Sequence, residues 1–266
     1  MSKEESTETG RAEMEKVFSA PESLTDAEFS YCSGCHHGII NRLIAEVIDE
    51  LDIRERTVGT APVGCSVLLY RWFDIDIVQP AHGRVSAVAT GLKRSNPENV
   101  VFAYQGDGDF ASIGTGNSVH AANRGENISV FFINNTIYGM TGGEMAPTSL
   151  ENQETTTTPK GKNADDFGYP IKMSEMLSQL DAPVYIDRVA VYDVERIKQA
   201  KEAIRKSFRL QLEGKGYSLI EFLATCPVNW GMTPVEANER LKDEVEEVFP
   251  LGSLKENDRE GAKNGG

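Results

Sequence analysis

The sequence has no apolar run near the roughly 20 residues needed to cross a bilayer. Its opening, MSKEESTETGRAEMEK, lacks the apolar core of a secretory signal. Together these absences predict a cytoplasmic protein with no membrane association. Positive charge is also scarce: 27 Lys and Arg stand against 41 Asp and Glu, a formal net charge of −14. That composition supplies no basic surface for nucleic acid or anionic lipid. There are only four cysteines, at positions 32, 35, 65 and 226, and in a reducing compartment disulfides are their least expected use. What is present is 266 residues, 39% hydrophobic and 26% charged, enough for one large α/β domain or two small ones. The acid gathers at the two ends, and the middle is nearly balanced.

Residues 1–29 are polar and acidic without sustained periodicity, and read as an extension or arm outside the fold. Ile39, Ile40, Leu43, Ile44, Val47, Ile48 and Leu51 recur at helical spacing. Short strands are expected at 57–60 and 77–78, separated by the turn-like Pro62-Val63-Gly64-Cys65. A helix carrying Val85, Val88 and Leu92 follows His82-Gly83-Arg84. Continuous apolar runs at 99–104 and 128–133 predict buried parallel strands, with a small-residue helix over 112–124 between them. From 141 to about 170 periodicity is lost, and a loop that long predicts a lid or an interface. Beyond it come a strand at 184–191, a helix carrying Val194, Ile197, Ile204, Phe208 and Leu212, and a strand at 218–223. Strand and helix alternate, so the expected fold class is α/β, a three-layer doubly wound parallel sheet. Its domain spans 30–235, and 236–266 form an acidic C-terminal helix and tail. Leu241, Val245, Val248 and Phe249 make a helical stripe that suits docking on another subunit or packing on its own domain.

In such sheets ligands bind beyond the carboxyl ends of strands. Gly106-Asp107-Gly108 and Asn134-Asn135 both follow predicted strands, and Asp107 and Asn135 are 28 residues apart, room for one helical crossover and the next strand. Magnesium takes hard oxygen ligands and usually keeps substrate phosphates among them. The Asp107 carboxylate, the Asn135 amide oxygen and a backbone carbonyl such as that of Ile137 supply such a set. The flanking glycines let backbone N–H groups approach phosphate oxygens. Alone, Gly-Asp-Gly is a tight turn and Asn-Asn a polar loop; paired at this distance after two apolar strands, they favour the cofactor reading.

These residues resemble the thiamine diphosphate motif of thiamine-dependent enzymes. The longer string Asn134-Asn135-Thr136-Ile137-Tyr138-Gly139-Met140-Thr141-Gly142-Gly143 is similar to the β subunits of 2-oxoacid:ferredoxin oxidoreductases. His82-Gly83-Arg84, Ala89-Thr90-Gly91-Leu92-Lys93 and Asn229-Trp230-Gly231-Met232-Thr233-Pro234 match the same subunits, so the resemblance runs from about Tyr31 to Pro234.

Cys32-Ser33-Gly34-Cys35-His36 has the spacing of a haem-attachment motif, but that needs an exported protein. A thioredoxin-like pair leaves Cys65 and Cys226 unexplained. A zinc ribbon prefers a second Cys-x-x-Cys, and buried thiols acting as small hydrophobes fit poorly beside so much Gly and Pro. A 4Fe–4S cluster on four thiolates uses every cysteine. The resembled subunits place their cluster ligands in the positions of Cys32, Cys35, Cys65 and Cys226. His36 and His37 read as packing or supporting residues.

The resemblance implies oxidative decarboxylation of a 2-oxoacid with coenzyme A, giving an acyl-CoA, carbon dioxide and reduced ferredoxin. It implies magnesium on Asp107, Asn135 and the Ile137 carbonyl. Gly106, Gly108, Asp109, Gly139, Met140 and Thr141 would lie along the diphosphate. Val63, Gly64, Cys65 and Ser66, with His82, Gly83 and Arg84, would meet the cofactor or the substrate end. His82 and Arg84 are the candidate catalytic residues, with a satisfied core histidine as the alternative for His82. The glutamate that activates thiamine is expected from an α subunit carrying the pyrimidine domain, with γ and ferredoxin-like δ subunits as further partners. Candidate substrates are 2-oxoisovalerate and 2-oxoglutarate. Gly142 and Glu144 offer no cation for a distal carboxylate, which favours an apolar side chain. Two other classes fit parts of the pattern: a subunit of a non-redox thiamine diphosphate-dependent decarboxylase, and a zinc-binding structural protein.

Overall fold

The computed structural model describes residues 19–257. Seven strands form one sheet: β1 (Thr57–Thr60), β2 (Asp76–Val78), β3 (Val100–Gly106), β4 (Ser129–Asn134), β7 (Tyr185–Ala190), β8 (Ser218–Leu223) and β9 (Gly252–Glu256). Their spatial order is β2-β1-β3-β4-β8-β7-β9, parallel throughout except for the antiparallel edge β9. A two-stranded hairpin, β5 (Ile137–Tyr138) with β6 (Glu144–Met145), stands apart from the sheet.

Side chains on a strand alternate between faces, and here both faces are covered. Phe102, Tyr104, Phe131, Ile133, Ile220 and Phe222 share one core with Ile40, Leu43, Ile44, Val47 and Ile48 of α1 (His37–Glu50) and with Ala200, Ala203, Ile204 and Phe208. The last four belong to helix Val194–Leu212. The intervening Val101, Ala103, Val130, Phe132, Ile186 and Leu219 pack against α2 (Val85–Ser95), α3 (Thr115–Asn123) and helix Met173–Ser178. This is the expected three-layer α/β architecture, and the continuous apolar runs follow from burial on both sides. Asp193 caps the long helix by accepting the Arg196 N–H at 2.8 Å, and the helix covers 194–212 as its periodicity predicts.

Three segments differ from expectation. The helix expected over 112–124 is shorter: a π-type turn, Asp109–Ile113, precedes Thr115–Asn123. The N-terminal extension is described from residue 19, and that part is fastened to the domain. Ser23 is buried, its N–H donates to Asp49 Oδ1 at 3.1 Å, Leu24 bridges to Phe73, and the Trp72 indole donates to the Glu28 carbonyl at 2.9 Å. At the other end, Leu241, Val245 and Phe249 are buried against Leu150, Ala190 and Leu223. The apolar stripe therefore packs on its own domain, and it is followed by β9, a strand whose sequence GSLKE carries no apolar run. Among the described residues no helix is long and apolar enough to cross a membrane.

Candidate active site

Parallel pairing of β3 and β4 sets Gly106 opposite Ile133, so the two chains leave the sheet side by side at its carboxyl edge. Asp107 is 3% exposed there. One carboxylate oxygen accepts the Asn135 N–H at 3.2 Å; the other accepts the Ile137 N–H at 3.1 Å and the Thr148 hydroxyl at 2.7 Å. Burial pushes its pKa up to about 7, opposed by those three donors and reinforced by the negative charge of Glu221. A buried carboxylate served only by uncharged donors is costly unless a cation completes it.

Every expected cofactor-binding residue except Gly83 and Arg84 lines one cavity of about 230 Å³ at this edge. The loop of Val63, Gly64, Cys65 and Ser66 forms one wall, while Gly106, Asp107, Gly108 and Asp109 lie beneath. Asn135, Ile137, Gly139, Met140 and Thr141 form the other wall, and His82 reaches in beside Gly108. A Cβ built on Gly108 would lie 3.0 Å from the Tyr138 ring and 3.2 Å from His82 Nε2. Glycine is what lets these groups close over the backbone.

Several expected roles differ. The Arg84 side chain is exposed and lies outside the cavity lining. Gly83 acts through its backbone: its N–H donates to Asp109 and its carbonyl accepts from Asn117 at 2.7 Å. Asp109, expected along the diphosphate, is buried and also accepts from the Gln105 amide, with His82 Nδ1 3.5 Å away. Its carboxylate thus ties the turn at 82–84 to β3. His37 and Tyr138 line the cavity but carried no expected cofactor role. The adjacency of Tyr138 to the Asn-Asn pair was the one available signal for it.

The long segment after 141, expected as a lid or an interface, is in part packed under the site. Thr148, Ser149, Gln153 and Lys162 are buried beneath the site. Ser149 Oγ and Gln153 Nε2 both donate to the Thr136 carbonyl, at 2.5 and 2.9 Å, and Lys162 Nζ donates to the Ser149 carbonyl at 2.8 Å. Behind Asn134, the buried Glu221 accepts from Asn134 Nδ2 at 2.7 Å, Ser174 Oγ at 2.5 Å and Arg188 Nε at 2.8 Å.

The four cysteines come from three segments that hydrogen bonds stitch together. Cys35 N–H closes a turn onto the Cys32 carbonyl at 3.0 Å, Thr225 Oγ1 donates to the Gly34 carbonyl at 2.6 Å, and Tyr31 OH donates to the Cys65 carbonyl at 3.3 Å. A Cβ built on Gly139 would lie 3.4 Å from both Cys65 Sγ and Cys226 Sγ. Burial pushes the Cys35 thiol up to about 12 and the Cys65 thiol up to about 11, with the neighbouring cysteines adding to both. Among the described residues no group of three or more His, Cys, Asp or Glu is gathered to hold one metal ion. His36 bonds Asn238 at 2.9 Å and His37 bonds Tyr104 at 2.6 Å. Burial lowers them to about 4 and about 3, so both are neutral packing residues at pH 7.

Comparison with known proteins bears on this geometry. Residues 62–222 match the thiamine pyrophosphate enzyme family through its C-terminal TPP-binding domain. The chain is 46% identical over 255 residues to the ketoisovalerate oxidoreductase subunit VorA of Methanothermobacter thermautotrophicus, covering 92% of this chain and 54% of the relative. It is 32% identical over 219 residues to the 2-oxoglutarate synthase subunit KorB of Methanothermobacter marburgensis, covering 80% of this chain and 73% of the relative. The chain belongs to the thiamine pyrophosphate enzymes, among the 2-oxoacid oxidoreductase subunits. It spans about half the length of the VorA relatives. The fold of this thiamine pyrophosphate domain is shared with a 2-oxoglutarate:ferredoxin oxidoreductase from Magnetococcus marinus, solved with 2-oxoglutarate, coenzyme A and succinyl-CoA bound. The TM-score is 0.75 over 92% of this chain and 87% of that one, at 23% identity.

Proposed function

We propose that this chain is the thiamine diphosphate-binding β-type subunit of a 2-oxoacid:ferredoxin oxidoreductase acting on a branched-chain 2-oxoacid such as 2-oxoisovalerate. The observation that carries the reading is Asp107: a buried carboxylate with uncharged partners, beside Asn135, on a cavity at the carboxyl edge of the sheet. A carboxylate, an amide oxygen and the Ile137 carbonyl are hard oxygen donors and fit magnesium. Backbone at Gly108, Gly139, Met140 and Thr141 would cradle the diphosphate. When bound, thiamine diphosphate supplies the nucleophilic carbon and the electron sink for decarboxylation. His82, held near Asp109, stands at the cavity edge to hold or move a proton at Nε2.

Cys32, Cys35, Cys65 and Cys226 would be the thiolate ligands of a 4Fe–4S cluster, which would supply one-electron transfer toward ferredoxin. An α subunit contributes the pyrimidine-side glutamate, and γ and δ subunits and coenzyme A complete the system. An apolar substrate is favoured because the cavity lining holds Val63, Ile137 and Met140 and, among the described residues, no Lys or Arg. A distal carboxylate such as that of 2-oxoglutarate would want a fixed cation. The name of the 46% identical relative, a ketoisovalerate oxidoreductase subunit, points the same way.

The test is anaerobic purification of the native assembly followed by a panel of 2-oxoacids with coenzyme A and a viologen dye. Dye reduction fastest with 2-oxoisovalerate supports the proposal. A preference for 2-oxoglutarate overturns the substrate, and no reduction by any 2-oxoacid overturns the function. Cys226→Ser is expected to remove the iron–sulfur absorption band while thiamine diphosphate affinity stays within about twofold; a retained band overturns the cluster assignment.

A further inference from the structure

Thr136, between Asn135 and Ile137, has a φ of +60° and is fully buried. A β-branched residue resists this left-handed conformation, which persists only where its surroundings impose it. Here the surroundings are identifiable. The Thr136 N–H is taken by Asn134 Oδ1 at 3.3 Å, and its carbonyl is gripped by Ser149 and Gln153. Ser149 is in turn held through its own carbonyl by Lys162. One residue earlier in the same segment, Thr148 fixes one oxygen of the Asp107 carboxylate.

We propose that residues 146–162 form a positioning strap for the magnesium loop. In this role Thr148 sets the rotamer of Asp107, while Ser149 and Gln153 hold Thr136 in the left-handed turn that brings Asn135 and the Ile137 backbone to the same side as Asp107. The inference rests on the reading of Asp107 and Asn135 as the magnesium diphosphate site and adds residues outside both motifs. Thr148, Ser149, Gln153 and Lys162 lie outside the cavity lining; the strap acts by removing alternatives for the groups that line it. Partners of metal ligands commonly change metal affinity 10–100-fold when lost.

The experiment measures the magnesium dependence of thiamine diphosphate binding by calorimetry on the full chain in its native assembly, with unfolding midpoints in EDTA recorded alongside. Thr148→Val, nearly isosteric, is expected to weaken magnesium about tenfold, and Thr148→Ser to stay near wild type. Ser149→Ala is expected to weaken it about tenfold. Adding Thr136→Gly to Ser149→Ala should recover most of that loss, because glycine adopts the turn unaided. The same addition to Thr148→Val should recover little. Unchanged magnesium affinity in the strap variants overturns the proposal. So does a loss in Ser149→Ala that Thr136→Gly leaves in place, or a fall in unfolding midpoint with magnesium affinity intact. Wild-type protein that shows no magnesium-dependent thiamine diphosphate binding removes the functional reading itself, and the strap's role with it.

Discussion

Asp107 and Glu221 are two buried carboxylates on neighbouring parts of one sheet, and the chain treats them oppositely. Glu221, 0% exposed, meets the Arg188 guanidinium, which is itself braced by Glu175 and stacked over Phe249 at 5.4 Å. Asp107 receives two backbone N–H groups and a hydroxyl. The first carboxylate is neutralised from within and supports the fold. The second is met by uncharged donors only. Glu221 links the two regions, since it grips Asn134 and its charge raises the pKa of Asp107.

The largest expected effect breaks that contrast on the Asp107 side. Asp107→Asn should reduce magnesium-dependent thiamine diphosphate binding at least about 100-fold, while stability in EDTA falls by no more than about 1 kcal/mol. A calorimetric titration paired with urea denaturation checks both halves, and a large stability loss would place Asp107 with Glu221 as a structural group. On the other side, Arg188→Met leaves Glu221 buried without its cation. It should cost about 3–5 kcal/mol in urea denaturation.

The pH dependence follows from the same asymmetry. The Asp107 pKa is raised in the folded chain, so the native state binds an extra proton between the ordinary carboxylate range and about pH 7. Metal-free protein should therefore lose stability, on the order of 2 kcal/mol, as pH rises from about 4 to about 7. Asp107→Asn or saturating magnesium should flatten that component, and denaturation curves across the range in EDTA decide it. The smallest effect belongs to a half-buried ion pair between helices. Lys201 bridges Glu46 and Glu50 across the outer helices, both at 2.7 Å, yet Lys201→Met should cost only about 0.5 kcal/mol.

The comparison also explains what could be read from sequence. The sheet was legible because its strands are buried on both faces and so are unbroken apolar runs, as in Val130, Phe131, Phe132 and Ile133. The adjacency of Asp107 and Asn135 was legible because sheet register converts a fixed sequence spacing into proximity, and glycine at 108 is dictated by the close approach of Tyr138. The strap was not legible, since its buried residues are Thr148, Ser149, Gln153 and Lys162, types assigned to solvent unless their hydrogen-bond partners are known. Asp109 was given to the cofactor by its place in the motif, whereas its carboxylate is spent on Gly83 and Gln105. β9 was missed because an edge strand needs no apolar run. Glu221 left a usable sign, one charged residue inside the strand Ser218–Leu223.

The central claim is that Asp107 is an unfinished metal site serving a diphosphate. The most direct measurement is a calorimetric titration of the native assembly with thiamine diphosphate, once with magnesium and once after EDTA. The account predicts saturable binding with magnesium that collapses on chelation; equal affinity in both titrations, or binding in neither, would contradict it.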